Sequence, residues 1–472
     1  DTLDVNARAR ATGIEQDVFS EFGDARAEIV NDGSISSSAY ALASGDGTNS
    51  SNDILATATA FGIDQSAYGD TASADIVNSS LSSIDVLAVA SASAFANADA
   101  RGESWAVGIG QDVYGEASDS AALGEVFNSG AVSVTSVADA NAQNGWANAD
   151  ARAWGIEQYV QGDGETATGI IENGGTVTVL ASADASSLNN PASASANANG
   201  IVQEVDGNYG NTVVTGVIEN SSDSTVDVTA WAGADGSSAS ARANARGMVQ
   251  DIEGFDANGE INNSGTINVL AMADATSATS TANASANAIG VSQSAYSGTT
   301  STGSLDNSGT VNVVALATAT RSLSGNASAF GVIRASANAQ GLYQHIEGSA
   351  AATGTISNTS DSTVDVAALA NATGSGQVSA SANARGIFQE VDSHSSNGSP
   401  QASGTIENSG TVNVTSIADA VATSGNASSS ARASASANAQ GIQQNVVGSG
   451  SADATITNSS SASSNVQAAA NA

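Results

Sequence analysis

Side-chain amides recur in this 472-residue chain at intervals that suit a polymer of hydrogen bonds better than a single catalytic centre. One series comprises Gln16, Gln65, Gln111, Gln158, Gln203, Gln250, Gln293, Gln344, Gln389 and Gln444. A second comprises Asn31, Asn78, Asn128, Asn173, Asn220, Asn263, Asn307, Asn358, Asn408 and Asn458. A primary amide carries donors and an acceptor, so identical amides stacked in successive β layers can bond one another into a ladder. Polar binding at a surface is the competing role for Gln250, Gln344 or Gln389. For the asparagines the competing role is capping a tight turn through a local bond to backbone.

Carboxylates offer a second chemistry. Asp139, Asp184, Asp274 and Asp419 occupy equivalent repeat positions, and stacking them could present oxygen ligands to a hard cation such as Ca²⁺. Thr318 and Asn371 interrupt that series, and neither an EF-hand loop nor a Gly-Gly-x-Gly-x-Asp nonapeptide occurs. The series therefore reads as a solvated acidic face, with no resident cofactor expected apart from this weak calcium candidate. Catalysis has few reagents. His345 and His394 are the only histidines, cysteine and lysine are absent, and neither Gly-x-Ser-x-Gly nor His-Glu-x-x-His occurs. Carboxylate pairs of the kind that cleave sugars are available among 47 acidic residues, but the uninterrupted repeat argues against an enzyme. Trp105, Trp146, Trp154 and Trp231 could stack on sugar rings, yet they share no repeat position and read as packing or edge residues. Triplets such as Asn326-Ala327-Ser328 match a glycan acceptor pattern that this composition generates by chance.

The elements that hold these side chains follow from the repeat itself. A Gly-apolar-x-Gln core begins at Gly13, Gly62, Gly108, Gly155, Gly200, Gly247, Gly290, Gly341, Gly386 and Gly441, ten copies about 47 residues apart. A period of this size signals a solenoid, propeller or array. Upstream of the glycine the chain alternates, as in Ala192-Ser193-Ala194-Ser195-Ala196-Asn197-Ala198-Asn199. Alanine favours helices, but period-two alternation with Ser and Asn in the other positions favours strands. About twenty residues downstream comes Gly404-Thr405-Ile406-Glu407-Asn408-Ser409-Gly410-Thr411-Val412-Asn413-Val414 and its relatives, which read as strand, tight turn, strand.

The two phrases share one phase break. Ala382-x-Ala384-x-x-Ile387-x-Gln389 matches Val412-x-Val414-x-x-Ile417-x-Asp419, as a corner or bulge would produce. The match predicts an all-β fold, a β-solenoid (parallel β-helix) of ten repeats with two coils in each, continuous over residues 1–472. Twenty coils at ~4.8 Å give a rod of roughly 95 Å. Intervening coils would then complete the glutamine ladder with partners such as Asp274 or Asp419. Length varies mainly after the Gln strand, as at Asp392 to Pro400, and after the Asp-Ala strand, as at Thr423 to Ser429. Such edges are where solenoids usually carry binding loops.

Composition narrows the function classes. The net charge is -36, all 11 basic residues are arginine, and hydrophobic residues make up 41% in fixed phase, which argues against disorder. That field repels nucleic acid and anionic lipid, and no apolar run approaches a membrane span, so neither nucleic-acid binding nor membrane insertion is expected. Zero cysteine leaves the redox compartment open, and an opening on Asp1 instead of Met suggests a mature or excised segment.

At Gly404-Thr405-Ile406-Glu407-Asn408-Ser409-Gly410-Thr411-Val412 the sequence resembles bacterial surface β-solenoids, with autotransporter passenger and filamentous-haemagglutinin-like adhesin repeats as the nearest look-alikes. The resemblance covers nearly the whole chain and implies an extracellular or cell-surface protein. No outer-membrane barrel or capping segment of those families is recognisable. Because neither end reads as a polar cap, the expected role is structural, with self-association head to tail into a filament. The alternative is an adhesin segment that binds surface glycans or another cell through its edge loops.

Overall fold

The computed structural model describes residues 4–47, 53–117, 121–207, 212–321, 331–394, 400–423 and 431–472. Every regular element among them is a β-strand, and every inter-strand pairing is parallel. The strands form an 18-stranded and a 10-stranded sheet, stacked as a parallel β-solenoid.

One coil illustrates the rest. Ala192–Gly207 is a long strand, Val213–Asn220 a short strand, and Thr225–Gly236 a third strand in the opposite sheet. In the long strand, Ala194, Ala196 and Ala198 point inward while Ser193, Ser195 and Asn197 point out. The inward parity flips at Gly200-Ile201, where two consecutive residues are buried, and resumes with Gln203 and Val205. The glycine bends one strand across two cores. Its first half packs its alanines against the valines and alanines of the third strand. Its second half places Val205 in a smaller cluster with Val214 of the short strand.

Close approach explains the glycine. A Cβ on Gly200 would lie 2.5 Å from the Gly247 carbonyl oxygen of the next coil and 2.6 Å from Val226 Cγ1. The same 2.5 Å approach to the next corner glycine recurs at Gly62, Gly108, Gly155 and Gly247. Gly200→Ala is therefore expected to cost about 1–3 kcal/mol through overpacking. A denaturant titration in which Gly200→Ala unfolds with the wild-type midpoint would contradict this account of the corner.

The pairing register corrects the expected coil count. Ala196 pairs with Ala151 behind it and Ala243 ahead, and Val226 pairs with Val177 and Ile267. A residue's neighbour in the stack is thus a full repeat away, and each repeat is one coil. The Ala-x-Ala and Val-x-Val phrases face each other across one interior, but the expected shared phase break does not occur. Ile387 and Gln389 turn inward after the corner glycine. Val412, Val414, Ser416 and Ala418 instead keep one parity and leave Ile417 40% exposed and Asp419 on the outer face, because the third strand has no corner. Ten third strands form a single sheet, so the rod is roughly 48 Å long at ~4.8 Å per coil, half the expected length. Of the two variable loops, residues 395–399 and 424–430 lie outside the described residues, as does the Asn326-Ala327-Ser328 triplet.

Candidate functional site

The amides form two uninterrupted columns inside the rod. Gln65 Nε2 donates to Gln16 Oε1, Gln111 to Gln65, Gln158 to Gln111, Gln203 to Gln158 and Gln250 to Gln203, at 2.8–3.0 Å. Gln293, Gln344, Gln389 and Gln444 continue the column at 2.7–2.9 Å. Each donor also reaches a short-strand carbonyl of its own coil, as Gln203 Nε2 does to Val217 O at 3.1 Å. Both amide protons are used and the long strand is stitched to the short one. No intervening carboxylate takes part, so the expected partnership with Asp274 or Asp419 does not occur. It fails because consecutive glutamines belong to adjacent coils.

Room for these amides comes from a feature that sequence reasoning passed over. A Cβ on Gly216 would meet Gln203 Oε1 at 2.7 Å and Gln250 Nε2 at 3.1 Å, and Gly169, Gly259, Gly303, Gly354 and Gly404 sit equivalently. The available signal was a glycine four residues before the repeat asparagine.

Asparagine forms the second column with opposite polarity. Asn31 Nδ2 donates forward to Asn78 Oδ1 at 2.8 Å, and the pattern continues through Asn128, Asn173, Asn220 and Asn263. Asn307, Asn358, Asn408 and Asn458 complete it at 2.7–2.8 Å. Turn capping is added to the ladder in some coils and does not replace it. Ser224 Oγ donates to Asn220 Oδ1 at 2.7 Å, and Gly33 N donates to Asn31 Oδ1 at 3.2 Å.

Glutamine donors point toward the first coil and asparagine donors toward the last. The open face of the first described coil therefore presents the Gln16 donor and the Asn31 acceptor. The last presents the Gln444 acceptor and the Asn458 donor. The two faces are complementary. The last coil also leaves Ile456 and Val466 40–50% exposed, whereas their counterparts Ile406 and Val414 in the preceding coil are fully buried.

The four candidate metal-binding aspartates lie on the outer face of the third-strand sheet. Only Asp139 and Asp184 are register neighbours. Gly233 stands between Asp184 and Asp274, and Thr318 and Asn371 stand between Asp274 and Asp419. Burial, then repulsion from a neighbouring aspartate, raises Asp139, Asp184 and Asp274 above the usual carboxylate range. Among the described residues no group of three or more His, Asp or Glu side chains could hold a metal ion.

A denser acidic ridge follows the corner on the outer face of the long strands. Burial, with neighbouring carboxylates, raises Asp64, Asp112, Glu204 and Asp251, and Glu157 is pushed up to about 7 by burial and by Asp112 and Glu204. His345 lies among them, its Nδ1 3.0 Å from Tyr296 Oη and its Nε2 3.8 Å from Asp392. Burial raises Tyr296 above the usual phenol range, so its hydroxyl stays protonated.

The tryptophans separate by place. Trp105 meets Trp154 edge-on at 5.8 Å between ring centroids on the long-strand face, Trp146 lies exposed at an edge, and Trp231 sits on the third-strand face. Comparison of the chain with protein-family models, with curated proteins and with solved structures finds no match.

Proposed function

We propose that this chain is a structural, non-enzymatic protein of the cell surface or extracellular space whose rods stack end to end into a filament. The observation that carries the reading is the opposed polarity of the two amide ladders. When a second copy meets the last coil in the same orientation, its Gln16 donates to Gln444 and Asn458 donates to its Asn31. A reversed copy that places Gln444 on Gln444 and Asn458 on Asn458 sets acceptor against acceptor and donor against donor. The same stacking pairs the open strand edges in parallel and covers Ile456 and Val466. The contact is heterologous and does not close, so it propagates. The acidic surface keeps such fibres apart laterally.

Electron microscopy of residues 1–472 is expected to show thin unbranched fibres whose length grows with protein concentration. Asn458→Asp retains the acceptor for Asn408 but sets a carboxylate against the next copy's Asn31 oxygen, so it should leave mainly single rods. Wild-type protein that stays as single rods at every concentration would refute the reading.

A further inference from the structure

Five of the chain's eleven arginines are engaged by acids or by backbone carbonyls. Arg10, Arg26, Arg101 and Arg152 pair with acids on their own strands, and Arg321 is buried, donating to the carbonyls of Thr279 and Ser375. Arg242 and Arg246 differ. Both are exposed on the long-strand face, and the register surrounds them with neutral side chains. Arg242 lies between Ser195 and Ser285, and Arg246 between Asn199 and Ile289. Among the described residues neither is within ion-pair reach of a carboxylate, on a chain of net charge -36.

These two cations and Trp154 line one shallow cavity of about 460 Å³ on that face. Its layout is a grid. Trp154, Asn199 and Arg246 form one row across three successive coils, spanning about 10 Å at ~4.8 Å per step. Arg152, Asn197 and Asn244 form the adjacent row, in which Asn244 Nδ2 donates to Asn197 Oδ1 at 2.8 Å. Asp150 accepts from Arg152 at 2.7 Å and holds that guanidinium at the rim.

We propose that this cavity binds an acidic oligosaccharide, with the carboxylates of uronic-acid residues as the recognised charge. Guanidinium groups match a carboxylate with paired N–H donors. A partly buried indole offers its remaining apolar surface to a sugar ring, and the asparagine amides offer both donors and acceptors to its hydroxyls. The row from Trp154 to Arg246 spans two coil steps of ~4.8 Å, enough to follow a short stretch of an extended oligosaccharide. The charge balance selects the ligand class further. Two free cations beside a strongly acidic ridge tolerate a polymer with one charge per sugar, whereas a dense polyanion such as nucleic acid is repelled by the overall field. The site lies on a side face of the rod, independent of end-to-end stacking.

The test is calorimetric titration with hexagalacturonate, on wild-type protein and on an Arg242→Ser/Arg246→Asn variant. Both substitutions copy the residue in the preceding coil and preserve the fold, which the thermal unfolding midpoint checks. Saturable wild-type binding is expected, accompanied by a change in tryptophan fluorescence. The variant should lose roughly tenfold or more in affinity, as removal of two charge-assisted contacts implies. Trp154→Asn, which copies Asn199, should weaken binding and abolish the fluorescence change. Three results would overturn the assignment: no binding by wild type, unchanged binding by the arginine variant, or equal binding of neutral maltohexaose or of hexaglutamate.

Discussion

Gln203→Ala is expected to destabilise the rod by roughly 3–6 kcal/mol, although it removes one side chain from a series of ten. Gln203 Nε2 donates to Gln158 Oε1 at 2.9 Å and to Val217 O at 3.1 Å, and Gln203 Oε1 accepts from Gln250 Nε2 at 2.8 Å. All of these amides are buried, at 1% exposure or less. Truncation leaves an oxygen on Gln158 and a proton on Gln250 without partners in a dry interior, and it removes a second donor from the Val217 carbonyl, which the strand ladder already engages. Each orphaned group costs ~1–3 kcal/mol. Gln16 supplies the ladder with a single acceptor for Gln65, so Gln16→Ala should cost about a third as much. Denaturant unfolding of the two variants separates a ladder from ordinary packing, since equal losses at Gln203 and Gln16 would mean that stacked amides are not what is being measured.

A second large effect concerns pH, and its sign is opposite to common acid denaturation. The resolved carboxylate shifts are all upward. Glu157 moves from its ordinary 4.5 to about 7, chiefly through burial and secondarily through repulsion from Asp112 and Glu204. A folded state with a raised pKa binds protons more tightly than the unfolded chain. Its advantage is full below the unfolded value and is lost as pH rises through the folded one. For Glu157 the window runs from about 4.5 to about 7 and is worth on the order of 3 kcal/mol. Asp112, Glu204 and Asp251 shift in the same direction and reinforce it.

The thermal midpoint should therefore climb as pH falls from 8 toward 5. Glu157→Gln should gain stability at pH 8, change little near pH 4.5, and flatten the profile between them. A midpoint that falls on acidification through this range would show that the ridge is not strained by its own charge.

Much of this architecture is legible in the residues. Alternation in Ala192 to Asn199 specifies a strand with one small apolar face, and the fixed spacing of Gly200 and Gln203 specifies a corner followed by an inward amide. The strand-turn-strand phrase around Asn408 is read directly from Ser409-Gly410. The acidic ridge was hidden because it spans two repeat positions of mixed residue type. Asp112, Glu204 and Asp251 follow the repeat glutamine, Glu157 precedes it, and the same columns hold Tyr159, Ser294 and His345 in other coils. Arg246 and Trp154 share the position before the corner glycine, but that outward position changes residue type from coil to coil, so the sequence does not mark them, or Arg242 beside them, as a group.

What the chain determines by itself is local: the direction in which each side chain points, the corners, and the recurrence of an amide once per repeat. Those properties follow from backbone sterics and period-two alternation within a few residues. The tertiary structure decided how many residues make one turn of the rod. The Ala-x-Ala and Val-x-Val phrases line opposite walls of one narrow interior, and their likeness ends where Ile387 turns inward and Ile417 outward. Hydrogen bonding links each residue to its counterpart a full repeat away. Register also settled ladder polarity, because the direction in which Gln and Asn amides donate depends on the neighbouring coil and on no residue within their own.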